Sequence, residues 1–208
     1  MVEVLGALAG RYAVVGVVSG RPVRYLLDRL GDRLLLSGLY GLESVQDGRP
    51  VATAEAEPWR PLVARTVADA EQAWPGQVED KGLSLTLHFR TVPEGEAAIR
   101  AWASAEAART GLVVRSAKSS VELHPPVTAD KGTVVEVAVR GLSAACFLGD
   151  DVGDLPAFDA LDRLAAAGSF TAVKVGVRTP EAPPVLLARS DVVVDGPAGA
   201  LALLRDLL

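Results

Sequence analysis

The chain has 208 residues, half of them hydrophobic and only 5% aromatic, with a formal net charge of −5. That length can bury one substantial core, or one core plus a small inserted module, and the composition excludes a disordered chain. Net acidity, with Lys and Arg scattered rather than gathered in a stripe, gives no footing for nucleic acid.

No apolar run approaches the ~20 residues of a membrane span. The N-terminus lacks the basic region and apolar core of a signal peptide. The single Cys146 excludes an intramolecular disulfide. It reads as a small buried hydrophobe in a reducing compartment, so the chain is expected to be cytoplasmic.

In chain order, residues 3–11 predict a short helix, and "YAVVGVVSGRP" an apolar strand ending at Ser19-Gly20-Arg21-Pro22. Pro22 suits the start of the helix "VRYLLDRLG", which Gly31 can close. "RLLLSGLYGLE" predicts a second buried strand, and residues 45–57 a polar connection or short hairpin. Pro61 can open a helix in which Val63, Val67, Ala70 and Trp74 recur at helical spacing.

The pattern then changes. In "LSLTLHFR" the apolar Leu83, Leu85, Leu87 and Phe89 alternate with Ser84, Thr86, His88 and Arg90. This is the period of a strand buried on one face. A helix over about 94–109, with Ile99, Trp102 and Ala103 on one side, is stopped by Gly111; "LVVRS" and "SVELH" complete a small module. After Pro125-Pro126 the fully apolar style returns: a helix after Asp130-Lys131-Gly132, the strand "AACFL", and a helix from Asp154. The strand "TAVKVGV", a short "DVVVD" and a last helix to Leu208 finish the chain.

Continuous apolar strands alternating with helices predict an α/β core whose parallel sheet is doubly wound and covered on both faces. The organisation expected is a core over 1–77 and 126–208, with an inserted α+β lid over 78–125.

In such a sheet ligands bind outside the carboxyl ends of the strands, and three groups fall there. Ser19 precedes a helix start, where free N–H groups favour an anion; as a lone residue it reads rather as a plain helix cap. Asp150, Asp151 and Asp154 crowd a single loop after "AACFL". Clustered carboxylates at a strand end suit Mg²⁺, which takes one or two protein carboxylates plus water and substrate phosphate. Lys131 opens a helix, where a cation gains nothing from the helix dipole; it is either solvated or it balances nearby negative charge. On the lid, His88 and Arg90 share one polar face, as do Glu122 and His124 on their strand, with Lys81 and Lys118 at strand ends. These either bind sugar hydroxyls or a phosphate, or simply face water.

"VVSGR", "ADKG" and "GDDVGDLPAF", in that order around a lid, resemble the second, third and fourth motifs of the haloacid dehalogenase superfamily. "GLYGLE", "VEDKGLSLTLHFR" and "VELHPPVTADKG" resemble the trehalose-6-phosphate phosphatases within it. The resemblance implies Mg²⁺-dependent hydrolysis of trehalose 6-phosphate through a phosphoaspartate. Ser19 would hydrogen-bond the phosphoryl group, Lys131 would neutralise it, and Asp150, Asp151 and Asp154 would hold the metal directly or through water. Arg21, Glu43, Lys81, His88, Arg90, Lys118 and Glu122 would bind substrate. The expected partner is a small sugar phosphate, with no nucleic acid, no membrane and a monomeric state. Within the same fold, another sugar phosphate, or binding without catalysis, stands as the alternative.

One departure is large. No Asp-x-Asp occurs upstream of Ser19, and Glu3 is the only acid there. The resemblance places that motif on a central strand between those ending at Val18 and Leu148. The expectation is therefore an N-terminally shortened chain that does not complete catalysis unaided. The two flanking strands would then present unpaired backbone groups, at roughly 1–3 kcal/mol for each one left buried.

Overall fold

In the computed structural model, residues 1–117 and 119–208 are described; Lys118 lies outside them. In chain order they form α1 (Val2–Ala9), β1 (Gly16–Val18), α2 (Val23–Leu30), β2 (Leu35–Gly38), β3 (Glu43–Gln46), β4 (Arg49–Ala52) and α3 (Arg60–Ala73). There follow β5 (Val78–Asp80), β6 (Leu85–His88), α4 (Glu96–Thr110), β7 (Val113–Ala117), β8 (Ser120–His124), α5 (Lys131–Ala138) and β9 (Ala144–Gly149). The chain closes with α6 (Leu155–Ala166), β10 (Thr171–Arg178), α7 (Pro184–Ala188), β11 (Val192–Asp195) and α8 (Gly196–Asp206). No described helix is long and apolar enough to cross a membrane.

Two compact units result: Met1–Pro50 with Ala129–Leu208, and Val51–Thr128. The inserted unit thus begins at Val51, against residue 78 from the sequence. The reason is packing: Val63 and Ala70 of α3 are fully buried in one cluster with Leu85, Leu87, Ile99, Val121 and Leu123. Helical spacing marks α3 as amphipathic without saying which sheet its apolar stripe covers.

The first unit is α/β with parallel strand pairs, as expected, but its sheet comes in two pieces. β1 pairs in parallel with β2, and the order continues through β3 to β4. β9, β10 and β11 pair in parallel in a separate sheet. Among the described residues, β1 and β9 each pair on one side only. They are the two strands between which the resemblance places a further one. Leu5, Val23, Leu26 and Leu36 pack around the first piece, and Val135, Ala157, Ala160 and Leu161 around the second.

One expectation is corrected: Cys146 is exposed, not buried. Ala144 and Cys146 lie on the same face of β9 and meet solvent, whereas Ala145 and Phe147 face the α5–α6 cluster.

The second unit is an antiparallel sheet, β5-β6-β8-β7, with α3 and α4 supplying its apolar cover. Leu85, Leu87, Val121 and Leu123 line the covered face, and Gly111 ends α4 in the left-handed region (φ 80°), as its sequence position predicts.

Candidate active site

The loop after β9 organises itself around one carboxylate. Asp154 is only 3% exposed. Its Oδ2 accepts from the backbone N–H groups of Asp150 (2.9 Å) and Asp151 (3.1 Å). Its Oδ1 accepts from Lys131 Nζ at 2.6 Å. Gly149 makes room for this: a Cβ there would stand 2.5 Å from Asp154 Cβ, a distance real side chains do not tolerate.

Lys131 is placed by the start of α5. Asp130 caps that helix, its side chain accepting from Thr133 N–H while the Thr133 hydroxyl pairs with Asp130 N–H. Gly132 lets the first turn lie against the start of α6; a Cβ would meet Pro156 O at 2.3 Å. Lys131 is 7% exposed, so the solvated reading of this residue does not hold. A buried ammonium at a helix N-terminus needs a counter-charge, and Asp154 supplies it. Asp151 Oδ1 lies 4.0 Å away as a second negative group.

The three aspartates therefore divide. Both Asp154 oxygens are engaged within the protein, and among the described residues no three His, Cys, Asp or Glu side chains converge as metal ligands. Asp150 and Asp151 are exposed residues of the loop, and the Asp151 side chain also accepts from the Asp154 N–H in a capping box. Desolvation by the loop, then the charge of Asp154, pushes the Asp150 carboxyl above its usual range, with Lys131 opposing. Desolvation raises Asp151 as well, against the pull of Lys131 and with a push from Asp154 and Asp150. Crowded carboxylates of raised pKa are the donor set that a divalent cation relieves, and one or two of them satisfy Mg²⁺. The fit is to Asp150 and Asp151; Asp154 serves as the hinge that orients Lys131 and the loop.

Ser19 follows β1. Its N–H donates to Ser37 O (2.9 Å), its carbonyl accepts from Tyr40 N–H (2.9 Å), and its Oγ accepts from Arg21 N–H (3.1 Å). That last bond leaves the hydroxyl proton available to an anion. Arg21 is exposed, its guanidinium 5.6 Å from the Tyr25 ring centroid.

Tyr40 is the residue that sequence reasoning passed over. It sits in the left-handed region (φ 58°), next to Leu39 (φ 51°), a conformation uncommon for residues with a Cβ. A Cβ at Gly20 would stand 2.5 Å from its ring and one at Gly153 3.2 Å, and Lys131 Nζ lies 6.0 Å from the ring centroid. The ring thus joins the turn after β1 to the acidic loop after β9. The signal in the sequence was "GLYGLE", with glycines on both sides of the strained pair.

Glu43 lies, like Arg21, in the first unit. It belongs to β3 of the first unit, is 8% exposed, and its Oε1 accepts from Val23 N–H at 2.5 Å. It caps α2, whose first turn has no cap of its own because Pro22 precedes it.

In the second unit, Lys81 and Glu122 come together: Lys81 Nζ stands 3.6 Å from Glu122 Oε1, which also accepts from Ser84 Oγ at 2.6 Å. Ser84 and Glu122 are buried, so this face of the sheet is not the wet polar surface that alternation alone predicts. His88 pairs instead with Glu79 (2.9 Å), and Arg90 is exposed beyond the strand. Lys118, also expected here, falls outside the described residues.

Residues 1–183 match the sequence model of the trehalose-phosphatase family. The chain belongs to the trehalose-phosphatase family. It is 32% identical over 197 residues to an uncharacterized glycosyl hydrolase of Mycobacterium tuberculosis, a match that covers 85% of this chain and 14% of that protein. It is 30% identical over 161 residues to a trehalose-phosphate phosphatase of Mycobacterium ulcerans, covering 71% of this chain and 41% of the relative. The chain thus spans well under two thirds of the length of either relative. Among solved structures, that of a trehalose-6-phosphate phosphatase related protein superposes with a TM-score of 0.80 over 99% of this chain and 85% of the other, at 20% identity. That likeness shows the fold.

Proposed function

We propose that this member of the trehalose-phosphatase family acts on trehalose 6-phosphate, and that its residues supply the recognition of phosphate and sugar. The observation that carries the proposal is the buried Lys131–Asp154 pair (2.6 Å) beside the exposed Asp150 and Asp151 at the carboxyl end of β9. A buried lysine with further carboxylates beside it at the carboxyl end of a strand suits an anion site that also takes a divalent cation.

Lys131 would neutralise the phosphate, held in place by Asp154 and the capped start of α5. The Ser19 hydroxyl would donate to a phosphate oxygen. Asp150 and Asp151 would hold Mg²⁺, which supplies positive charge to the phosphoryl oxygens when bound. Lys81 and Glu122 would take sugar hydroxyls. No residue ahead of Ser19 offers the Asp-x-Asp nucleophile and acid, so the proposal assigns binding rather than bond cleavage to these 208 residues.

The test is a calorimetric panel with Mg²⁺ present: trehalose 6-phosphate, sucrose 6-phosphate, glucose 6-phosphate and unphosphorylated trehalose, with phosphate release followed in parallel. The expected result is selective binding of trehalose 6-phosphate without release of phosphate by these residues alone. Preference for another sugar phosphate would contradict the substrate assignment. Turnover that is lost in Asp150→Ala would contradict the division between binding and cleavage.

A further inference from the structure

The second unit carries a hydroxyl that its own fold does not explain. Strand register aligns Glu79 of β5, Thr86 of β6, Glu122 of β8 and Arg115 of β7 in one row across the sheet. Directly paired residues of an antiparallel sheet project to the same face, and this is the face opposite Leu85, Leu87 and Val121. Thr86 is 4% exposed, yet its Oγ1 has no hydrogen-bond partner among the described residues. Only one other described buried side-chain polar atom shares that condition, the indole N–H of Trp74, which packs against the apolar cluster instead.

A buried hydroxyl without a partner is unfavourable, and valine would fill the same volume in a strand with equal β preference. A partner from outside the chain, a bound ligand or an ordered water, would satisfy it. The neighbours give its chemistry. Glu122 is buried, accepts from Ser84, and has Lys81 at 3.6 Å. Its charge is thus balanced within the protein, and what remains is a set of neutral and paired groups that both donate and accept. Such a set suits uncharged hydroxyls better than a phosphate dianion, which would face Glu122 at close range.

We infer that Thr86 is a specificity-determining residue whose Oγ1 hydrogen-bonds a hydroxyl of the sugar beside Glu122. The inference rests on the reading of the ligand as a sugar phosphate. It goes beyond that reading by placing sugar discrimination on a residue that none of the ion pairs includes.

The experiment compares wild type with Thr86→Val and Thr86→Ser, titrating each calorimetrically with trehalose 6-phosphate and with inorganic phosphate, and melting each without ligand. Thr86→Val should weaken trehalose 6-phosphate by about tenfold, leave inorganic phosphate unchanged, and melt at or above the wild-type temperature because an unpaired buried hydroxyl has gone. Thr86→Ser should bind the sugar phosphate within about twofold of wild type, since it keeps the hydroxyl. Equal binding of trehalose 6-phosphate by wild type and Thr86→Val would overturn the inference. So would a fall in melting temperature accompanied by equal losses for both ligands, which marks a structural role. If the wild type binds inorganic phosphate but none of the phosphorylated sugars, the sugar reading fails first and takes this inference with it.

Discussion

The two units treat buried charge in different ways. In the first, Asp154 spends both oxygens inside the protein, on Lys131 and on two backbone N–H groups. In the second, Glu122 shares one oxygen between Ser84 and Lys81, while Thr86 beside it in the row is left without a partner among the described residues. The saturated centre builds a rigid loop that presents other carboxylates, Asp150 and Asp151. The unsaturated row keeps a polar group in reserve. Counting acids in a sequence cannot separate these cases, because both are carboxylates near lysines; their partners do.

The largest expected effect breaks the saturated centre. Asp154→Ala strands a buried ammonium and frees two backbone donors, and should destabilise the fold by about 3–5 kcal/mol in urea unfolding. Glu122→Ala should cost less, about 1–3 kcal/mol, while abolishing the preference for trehalose 6-phosphate over inorganic phosphate. A smaller loss for Asp154→Ala than for Glu122→Ala would reverse the comparison. Gly132→Ala probes the same centre sterically, since its Cβ would meet Pro156 O at 2.3 Å. It should lower stability by about 1–3 kcal/mol and loosen Lys131 with it.

Asp150→Asn is expected to act in the opposite sense. The Asp150 pKa is raised by desolvation and by Asp154, so its ionised form is disfavoured in the fold. Neutralising it should leave stability unchanged or raise it by up to about 0.5 kcal/mol, while weakening Mg²⁺ binding. A clear loss of stability would mean that Asp150 is structural like Asp154.

The smallest effect concerns pH in the second unit. Burial, then Arg115, holds His124 below its ordinary pKa, against the pull of its bond to Pro125 O and of Glu122. The unfolded state therefore takes up the proton first. The stability contributed by the neutral ring is present above the unfolded pKa of about 6.5 and is lost as pH falls below it. Substituting His124→Gln should flatten the stability curve between about pH 6.5 and pH 5. An unchanged slope would show that other groups govern that window.

Much of the framework was legible because it follows local rules. The apolar runs gave β2, β9 and β10, the Asp-Lys-Gly start gave α5, and the alternation from Leu83 to Phe89 gave β6 with its buried face. β5 escaped notice because three residues carry no periodicity. The boundary at Val51, the exposure of Cys146 and the burial of Ser84 and Thr86 depend on which surfaces meet, and local sequence does not encode that. At the candidate site, the motif spacing singled out Ser19, Lys131 and the aspartates. It did not show that Asp154 is saturated, that Glu43 caps α2, or that Tyr40 bridges two loops, since each follows from a contact between residues distant in sequence.

The central claim is that Lys131, oriented by Asp154, makes this chain a sugar-phosphate site. It is tested most directly by titrating trehalose 6-phosphate in the presence of Mg²⁺ into the wild type and into Lys131→Met, with circular dichroism confirming that the variant is folded. The account predicts binding by the wild type and a loss of about 10- to 100-fold in the variant, the worth of one charge-assisted bond to phosphate. Equal affinity in a folded Lys131→Met protein would contradict it.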